Sequence, residues 1–374
     1  MIGVTGTDGK TTTVHMIYEI LKSAGKKVSL ISSINAQVGN KSFDTGFHVT
    51  TPDPIALLRF LQKIVKEGTD YLVLEVTSHG LDQNRVFGIK FDVAVLTNIT
   101  HEHLDYHKTF NNYLKAKVRL FKHVEYSILN VDDQSFGQIK KAASGKIISY
   151  SLYKNADFNL KNFPIKLGVA GEYNFYNALA AAAATSALGI DRTTVYKALS
   201  SFKGVLGRME NVDLGQEFKV IIDFAHTPNA LSQALKTLNS KLKTQNSKLI
   251  AVFGTAGQRD RTKRPLMGQV AAQYADISVI TAEDPRTERV EDICAQIAEG
   301  FKRKGKRKGK DFYFVYDRQK AIEFAVNLAE KGDIVATFGK SHEKSMCYGK
   351  KEYPWDEFAQ VKKAIKRRLA HGQK

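Results

Sequence analysis

Residues 1–13 read MIGVTGTDGKTTT, an apolar run broken by Gly3, Gly6 and Gly9 and closed by Lys10, Thr11, Thr12 and Thr13. No other feature narrows the fold as much. Glycines at this spacing turn successive backbone N–H groups inward, and the amphipathic run from Thr12 to Ser23 supplies the positive end of a helix. Lysine and hydroxyl side chains at the last glycine then reach phosphate and Mg²⁺. The order strand, loop, helix predicts an α/β layer with a nucleotide triphosphate site. The spacing departs from the strict P-loop, because Val4 stands five residues before Gly9. A plain glycine-rich turn is the competing reading, and it leaves the placement of Lys10 and Thr11 unexplained.

Short apolar runs alternate with amphipathic stretches along the rest of the chain, which predicts mostly parallel sheets covered by helices. Tyr71 to Val76, Val93 to Leu96 and Ser127 to Val131 read as buried strands, each ending at polar residues. Ligands in open α/β sheets bind at such carboxyl ends. Tyr176 to Leu188 reads as an alanine-rich helix following a turn at residues 171–174. A second set of strands is predicted at Val220 to Asp223, Leu249 to Phe253, Ile277 to Thr281, Phe312 to Val315 and Ile334 to Phe338. The expected architecture is a P-loop doubly wound ATPase domain over residues 1–205, then a Rossmann-like domain over residues 206–374.

A length of 374 residues suits two domains. The chain has no run of membrane-spanning length and no signal-peptide pattern at its N-terminus, which predicts a cytoplasmic protein without membrane insertion. Cys294 and Cys347 are too few and too far apart for a disulfide framework or a zinc site. The net charge of +18 is concentrated in part in residues 302–310, KRKGKRKGK, and in the tail from Lys362 to Lys374. Neither segment interleaves aromatics for base stacking, so solvated basic segments are expected and a nucleic-acid partner is not.

Glu75 closes a buried strand and precedes Thr77, Ser78 and His79, a place from which a carboxylate can face Mg²⁺ across a phosphate loop. A solvated strand end is the alternative. Residues 97–107, TNITHEHLDYH, bring three histidines into one connection. Their spacing is not that of H-E-x-x-H and no cysteine joins them, which argues against zinc.

The blocks GVTGTDGKTTT, EVTSHGLDQNR, TNITHEHLDYH, KAKVRLF, YNFYNALAAAAA, GRME, IIDFAHTPNAL, FGTAGQRDRTKRPLMG, EDPRTE and GKSHE follow in order. Together they resemble the Mur ligase family over nearly the whole chain, most closely its UDP-N-acetylmuramoyl-tripeptide synthetase branch. The resemblance implies ATP-dependent amide formation in peptidoglycan synthesis through an acyl phosphate, by a monomer acting on a nucleotide-sugar peptide and an amino acid. It implies ATP binding by Gly6, Thr7, Asp8, Gly9, Lys10, Thr11 and Thr12, with Asn177, Arg208, Asp223 and His226 toward adenine, phosphate or ribose. Lys10, Glu75, His103 and Lys117 are the implied catalytic residues. Thr11, Glu75, His103 and Lys117, the last as a carbamate, would serve two Mg²⁺ ions. Without the surrounding block, Lys117 would read as an exposed helix lysine. Thr50, Thr51, Thr77, Gln83 and Arg85 match positions for the muramoyl-dipeptide. Arg259, Glu283, Asp284, Pro285, Arg286, Gly339 and Glu343 match the amino-acid pocket, where an arginine clamps a carboxylate and Glu343 accepts from an ammonium. Surface salt bridging is their alternative role.

Three departures bear on these expectations. The chain begins at the ATPase strand, without the family's N-terminal uridine-binding domain. The pocket reads EDPR rather than the DNPR of diaminopimelate-adding members; Arg286 favours meso-diaminopimelate, while Glu283 and Asp284 could welcome the second amine of lysine. Ser341 replaces a glycine in GKSHE, which narrows backbone freedom. The same chemistry on a folate, a poly-amino acid or a lipid-linked muramoyl peptide is an alternative function, as is an idle ATP-binding scaffold.

Overall fold

Every residue of the first strand, β1 (Ile2–Thr5), is buried, as a parallel strand with helices on both faces must be. The computed structural model describes residues 1–46, 50–100, 102–242 and 246–372, and it divides into two compact units, Met1–Val205 and Leu206–Lys374.

In unit 1, β1 is followed by α1 (Lys10–Ser23), β2 (Val28–Ile31), β3 (Ala36–Val38), β4 (Lys41–Phe43), α2 (Pro54–Lys66), β5 (Tyr71–Glu75), α3 (Ser78–Asp82) and β6 (Val93–Leu96). Then come α4 (Leu104–His107), α5 (Phe110–Val118), β7 (Tyr126–Asn130), α6 (Phe136–Ala142), β8 (Lys146–Tyr150), α7 (Glu172–Ala187) and α8 (Arg192–Ser201). The strands form one sheet in the order β4-β3-β2-β5-β1-β6-β7-β8. β2 to β8 in that order run parallel, and β3 pairs antiparallel with both β2 and β4. One core, containing Val14, Ile17, Leu21 and the alanines of α7, lies on one face. Leu57, Phe60, Leu114 and Phe121 belong to the core on the other. β1 sits between β5 and β6, so the glycine loop emerges at the centre of the sheet.

In unit 2 the elements are β9 (Glu210–Val212), β10 (Lys219–Asp223), α9 (Pro228–Asn239), β11 (Leu249–Phe253), α10 (Lys263–Tyr274), β12 (Ile277–Ile280) and α11 (Val290–Arg303). They continue with β13 (Phe312–Phe314), α12 (Arg318–Leu328), β14 (Ile334–Phe338), β15 (Ser345–Tyr348), β16 (Lys351–Pro354) and α13 (Glu357–Gly372). The main sheet has the order β13-β12-β11-β14-β10-β9, parallel except for β9; β15 and β16 form a separate hairpin.

The alanine-rich helix begins at Glu172, so residues 172–174 belong to its first turn and not to a preceding loop. From Ala178 to Ala184 it is wholly buried, and it packs on α1. Alanine permits that close approach because it has no side chain beyond Cβ. The basic residues 302–310 are almost all exposed, with Lys308 lying over the Phe314 ring at 4.4 Å. Both cysteines are buried and free. No helix among the described residues is long and apolar enough to cross a membrane.

Enlarging the α7 interface should destabilise unit 1. Ala181→Leu is expected to cost about 1–3 kcal/mol by overpacking, read as a lower denaturation midpoint with an unchanged slope; an unchanged midpoint would show slack in the packing.

Candidate active site

Residues just past β6 hold the glycine loop. The Thr7 N–H donates to the Asn98 carbonyl at 2.7 Å and the Thr97 N–H to that of Thr5 at 2.9 Å. The Thr97 hydroxyl donates to the Asp8 carbonyl at 2.7 Å, and Asn98 bonds Asp8 through both its amide oxygen and its amide nitrogen, each at 3.1 Å. Gly9 takes φ +82°, and a Cβ there would lie 2.3 Å from Asn177 Oδ1. Asn177 also accepts from the Thr13 hydroxyl at 3.3 Å. Lys10 folds back over the loop, donating to the carbonyls of Gly6 at 3.1 Å and Thr7 at 2.8 Å.

Beside the loop, buried Glu75 accepts from the Thr11 hydroxyl at 3.2 Å and from the Ser33 N–H at 3.0 Å. Lys117 reaches it from α5. The lysine is 1% exposed, and its Nζ donates to the Gly6 carbonyl at 2.7 Å. Burial first, and then the nearby Lys10 ammonium, hold its pKa well below the ordinary lysine value. One turn earlier, Tyr113 places its ring 4.6 Å from that Nζ and its hydroxyl 2.9 Å from Thr7 Oγ1.

Thr51, Thr77, Gln83 and Arg85 meet at a neighbouring corner. The two threonine hydroxyls lie 3.1 Å apart, Thr51 donates to the Glu75 carbonyl at 3.1 Å, and Arg85 bridges the Thr51 carbonyl and the Gln83 amide oxygen. Thr50 precedes Thr51 in the chain. His103 packs against His79 at 4.7 Å and Tyr113 at 6.0 Å. His107 is buried with its Nε2 unpartnered, and burial lowers its pKa. Among the described residues no three His, Cys, Asp or Glu side chains converge as a metal centre would require.

In unit 2, Asp223 ends β10 and accepts from the Met209 and Ala225 N–H groups, each at 2.8 Å. The Arg208 guanidinium lies 4.6 Å from the Phe224 ring. Burial, followed by the charge of Lys263, pushes the His226 imidazole down to about 3; Lys263 Nζ donates to the His226 carbonyl at 2.9 Å. Asp284 accepts two bonds from Lys340 Nζ at 2.9 Å, and Glu343 takes a third at 2.6 Å. Arg286 donates to the Gly257 carbonyl at 2.8 Å, and Arg259 is exposed. Pro285 is buried between Asp284 and Arg286, and both of those flanking residues take left-handed φ values, +43° and +51°. Glu283 is buried, with Oε2 unpartnered and packed on Gly339, where a Cβ would come within 2.1 Å of it. Burial pushes its carboxyl up to about 8, against the pull of Arg318 and Lys263.

Family models match both units: a Mur ligase middle domain over residues 4–185 and a Mur ligase, glutamate ligase domain over residues 207–341. The UDP-N-acetylmuramoyl-L-alanyl-D-glutamate–2,6-diaminopimelate ligase 1 of Clostridium acetobutylicum is 38% identical over 98% of this chain and 78% of its own length. The ligase of the same name from Geobacillus thermodenitrificans is 37% identical over 98% of this chain and 79% of its own. The chain belongs to the Mur ligase family. A solved structure of a 2,6-diaminopimelate ligase is 32% identical, with a TM-score of 0.63 over 98% of this chain and 78% of that one. The Mycobacterium tuberculosis folylpolyglutamate synthase with ADP shares the fold alone, at 17% identity and a TM-score of 0.70 over 91% of this chain and 88% of that one.

This Mur ligase thus gathers the expected phosphate residues, Glu75 and Lys117 around one loop, and it overturns the exposed-lysine alternative for Lys117. Glu283 and Asp284 are likewise buried and are not surface salt-bridge partners. Ser341 adopts φ +42° despite replacing glycine, and its hydroxyl donates to the Gly207 carbonyl at 2.7 Å. Sequence reasoning missed Ser33, Thr97, Tyr113 and Lys340. Thr97 and Lys340 lay within quoted blocks, whereas the link from Ser33 to Glu75 spans 42 positions.

Two outcomes follow from this geometry. Gly9→Ala combines a left-handed φ with a clash and should weaken ATP binding by at least about tenfold, measured by calorimetry. Glu283, with a folded pKa of about 8 against an ordinary 4.5, holds a proton that the unfolded chain has already released in that window. Its contribution to stability is therefore complete below the unfolded value and lost as pH rises through about 8. The wild type should lose stability relative to Glu283→Gln by at most about 1.4 kcal/mol per pH unit across this range. Parallel pH profiles of the unit 2 denaturation midpoint would contradict a protonated Glu283.

Proposed function

We propose that this Mur ligase joins an amino acid to UDP-N-acetylmuramoyl-L-Ala-D-Glu at the expense of ATP, with meso-diaminopimelate the preferred amino acid. The observation that carries the reading is the buried Lys117 amine beside the Gly6 carbonyl, on a phosphate loop whose other side bears Thr11 and Glu75. The names of the relatives supply the acceptor and the amino acid, and Arg286 supplies a cation for a second carboxylate.

Unit 1 binds the ATP phosphates through the loop N–H groups and Lys10, with Thr51, Thr77, Gln83 and Arg85 orienting the acceptor. Unit 2 holds the incoming amino acid through the turns containing Glu283, Asp284, Arg286, Gly339 and Glu343, while Asn177, Arg208, Asp223 and His226 contact the nucleoside and phosphates. A carboxylate oxygen of the acceptor attacks the γ-phosphorus and ADP leaves. The amine then adds to the acyl carbonyl, loses a proton, and phosphate departs as the amide forms. Lys10 stabilises charge on the transferring group, and catalysis is otherwise positioning.

Thr11 and Glu75 offer hard oxygens but too few to enclose an ion, which suits Mg²⁺ completed by phosphate oxygens and water. Bound there, it would neutralise phosphate charge. Lys117 fits a carbamate, because only a neutral amine attacks carbon dioxide and burial beside Lys10 favours the neutral form. Its nitrogen lone pair would bond to the carbon and an N–H proton would leave, turning a neutral amine into an anionic oxygen donor that could hold a second Mg²⁺; His103, like Lys117, lies against the Tyr113 ring.

The test supplies ATP, Mg²⁺, the UDP-linked dipeptide and a panel of amino acids, with UDP-free acceptors in parallel. Phosphate release should depend on both the UDP-linked acceptor and meso-diaminopimelate. Release only with a UDP-free acceptor would reassign the substrate, and none with any acceptor would end the ligase reading. Lys117→Ala should lower kcat by about 10²-fold or more, and depleting carbon dioxide should reversibly lower the wild-type rate.

A further inference from the structure

The two turns of the unit 2 pocket grow from β12 and β14, and these strands are not neighbours, since β11 runs between them. No direct ladder can hold one turn against the other. Two side chains do so: Lys340 Nζ, on the β14 turn, donates to Asp284 on the β12 turn, and Arg318 holds the roots of both. Arg318 Nη1 donates to the Ala282 carbonyl at 3.2 Å and Nη2 to the Phe338 carbonyl at 2.7 Å. Those carbonyls immediately precede Glu283 and Gly339, so one guanidinium grips the root of each turn.

The guanidinium is itself fixed from behind. Its Nε and Nη2 donate to the two Glu357 oxygens at 2.9 and 2.7 Å, and both side chains are fully buried. Glu357 Oε2 also accepts from Trp355 Nε1 at 2.8 Å, the only tryptophan in the chain. A buried ion pair gains little stability over apolar packing, because desolvation offsets the attraction. What this pair holds is a better account of it than stability. The turns carry left-handed Asp284, Arg286 and Ser341, and such backbone persists only where the surroundings over-determine it. Glu283 packed on Gly339 also requires the two turns to keep a fixed spacing.

We propose that Arg318, locked by Glu357, is a positioning residue of the amino-acid pocket, its fork holding the roots of both turns at the separation that the incoming amino acid needs. This rests on the reading that these turns bind that amino acid. Arg318 touches no reacting atom.

Arg318→Lys keeps the charge but cannot fork, and Glu357→Gln keeps the shape while removing the partner charge. In the full chain each is expected to raise the KM for the amino acid about tenfold or more while leaving the KM for ATP within about twofold. In the wild type, Trp355 emission should shift on saturation with the amino acid, and that shift should shrink in both variants. Backbone amide exchange should quicken at Arg286 and Gly339 and stay unchanged in β11. An unchanged amino-acid KM in either folded variant overturns the proposal, as does a parallel rise in both KM values, which would mean general loosening. If Arg318→Lys does not fold, Glu357→Gln decides. If the wild type joins no amino acid, the functional reading has failed, and exchange then judges the strut: unaltered exchange at both turns overturns it.

Discussion

The Thr97 hydroxyl bond to the Asp8 carbonyl is the contact on which the nucleotide half of the molecule depends. The phosphate loop has no strand ladder of its own to satisfy its backbone, and its Thr7 and Asp8 N–H groups donate to Asn98. Thr97 and Asn98, just past β6, therefore take the place of a ladder. The same hydroxyl occupies the space that a Gly6 side chain would need, since a Cβ there would stand 1.7 Å from it. Glycine and threonine are thus one device, divided between two strands. Behind them, the Tyr150 hydroxyl and the Asn130 amide donate to the Thr97 carbonyl at 3.1 and 3.0 Å, so the outer strands brace the central one.

Unit 2 meets a related problem with charge. Lys340, Arg318 and Arg264 are each almost wholly buried, and each has carboxylate partners within hydrogen-bonding distance. Glu283 differs, a buried carboxyl whose Oε2 is unpartnered and whose pKa burial raises. Strand ends that must display polar groups can do so only where oppositely charged side chains come from several elements at once.

Most parallel strands were legible because buried strands read as continuous apolar runs, and their predicted bounds lie within a residue of those observed; the parallel β2 and β8 went unread. The β3–β4 hairpin went unread: its strands are three residues long, too short to show alternation. Its Gly39-Asn40 turn was the usable signal. Among site residues, those in glycine-rich or histidine-rich blocks were visible, because unusual composition needs a local cause. Arg318 and Glu357 were invisible for the opposite reason. Each opens an ordinary amphipathic helix, and the pair has meaning only across 39 positions of chain.

Ser341 has a consequence of a different kind. A glycine at φ +42° would leave its turn free to sample other conformations, whereas serine pays a steric penalty there and returns a bond to Gly207. The turn is consequently tied down by a side chain before anything binds. A wall built in advance loses little conformational entropy when a ligand docks. If this turn walls the proposed amino-acid site, discrimination there would fall mainly on how long each amino acid stays, and much less on how quickly each arrives.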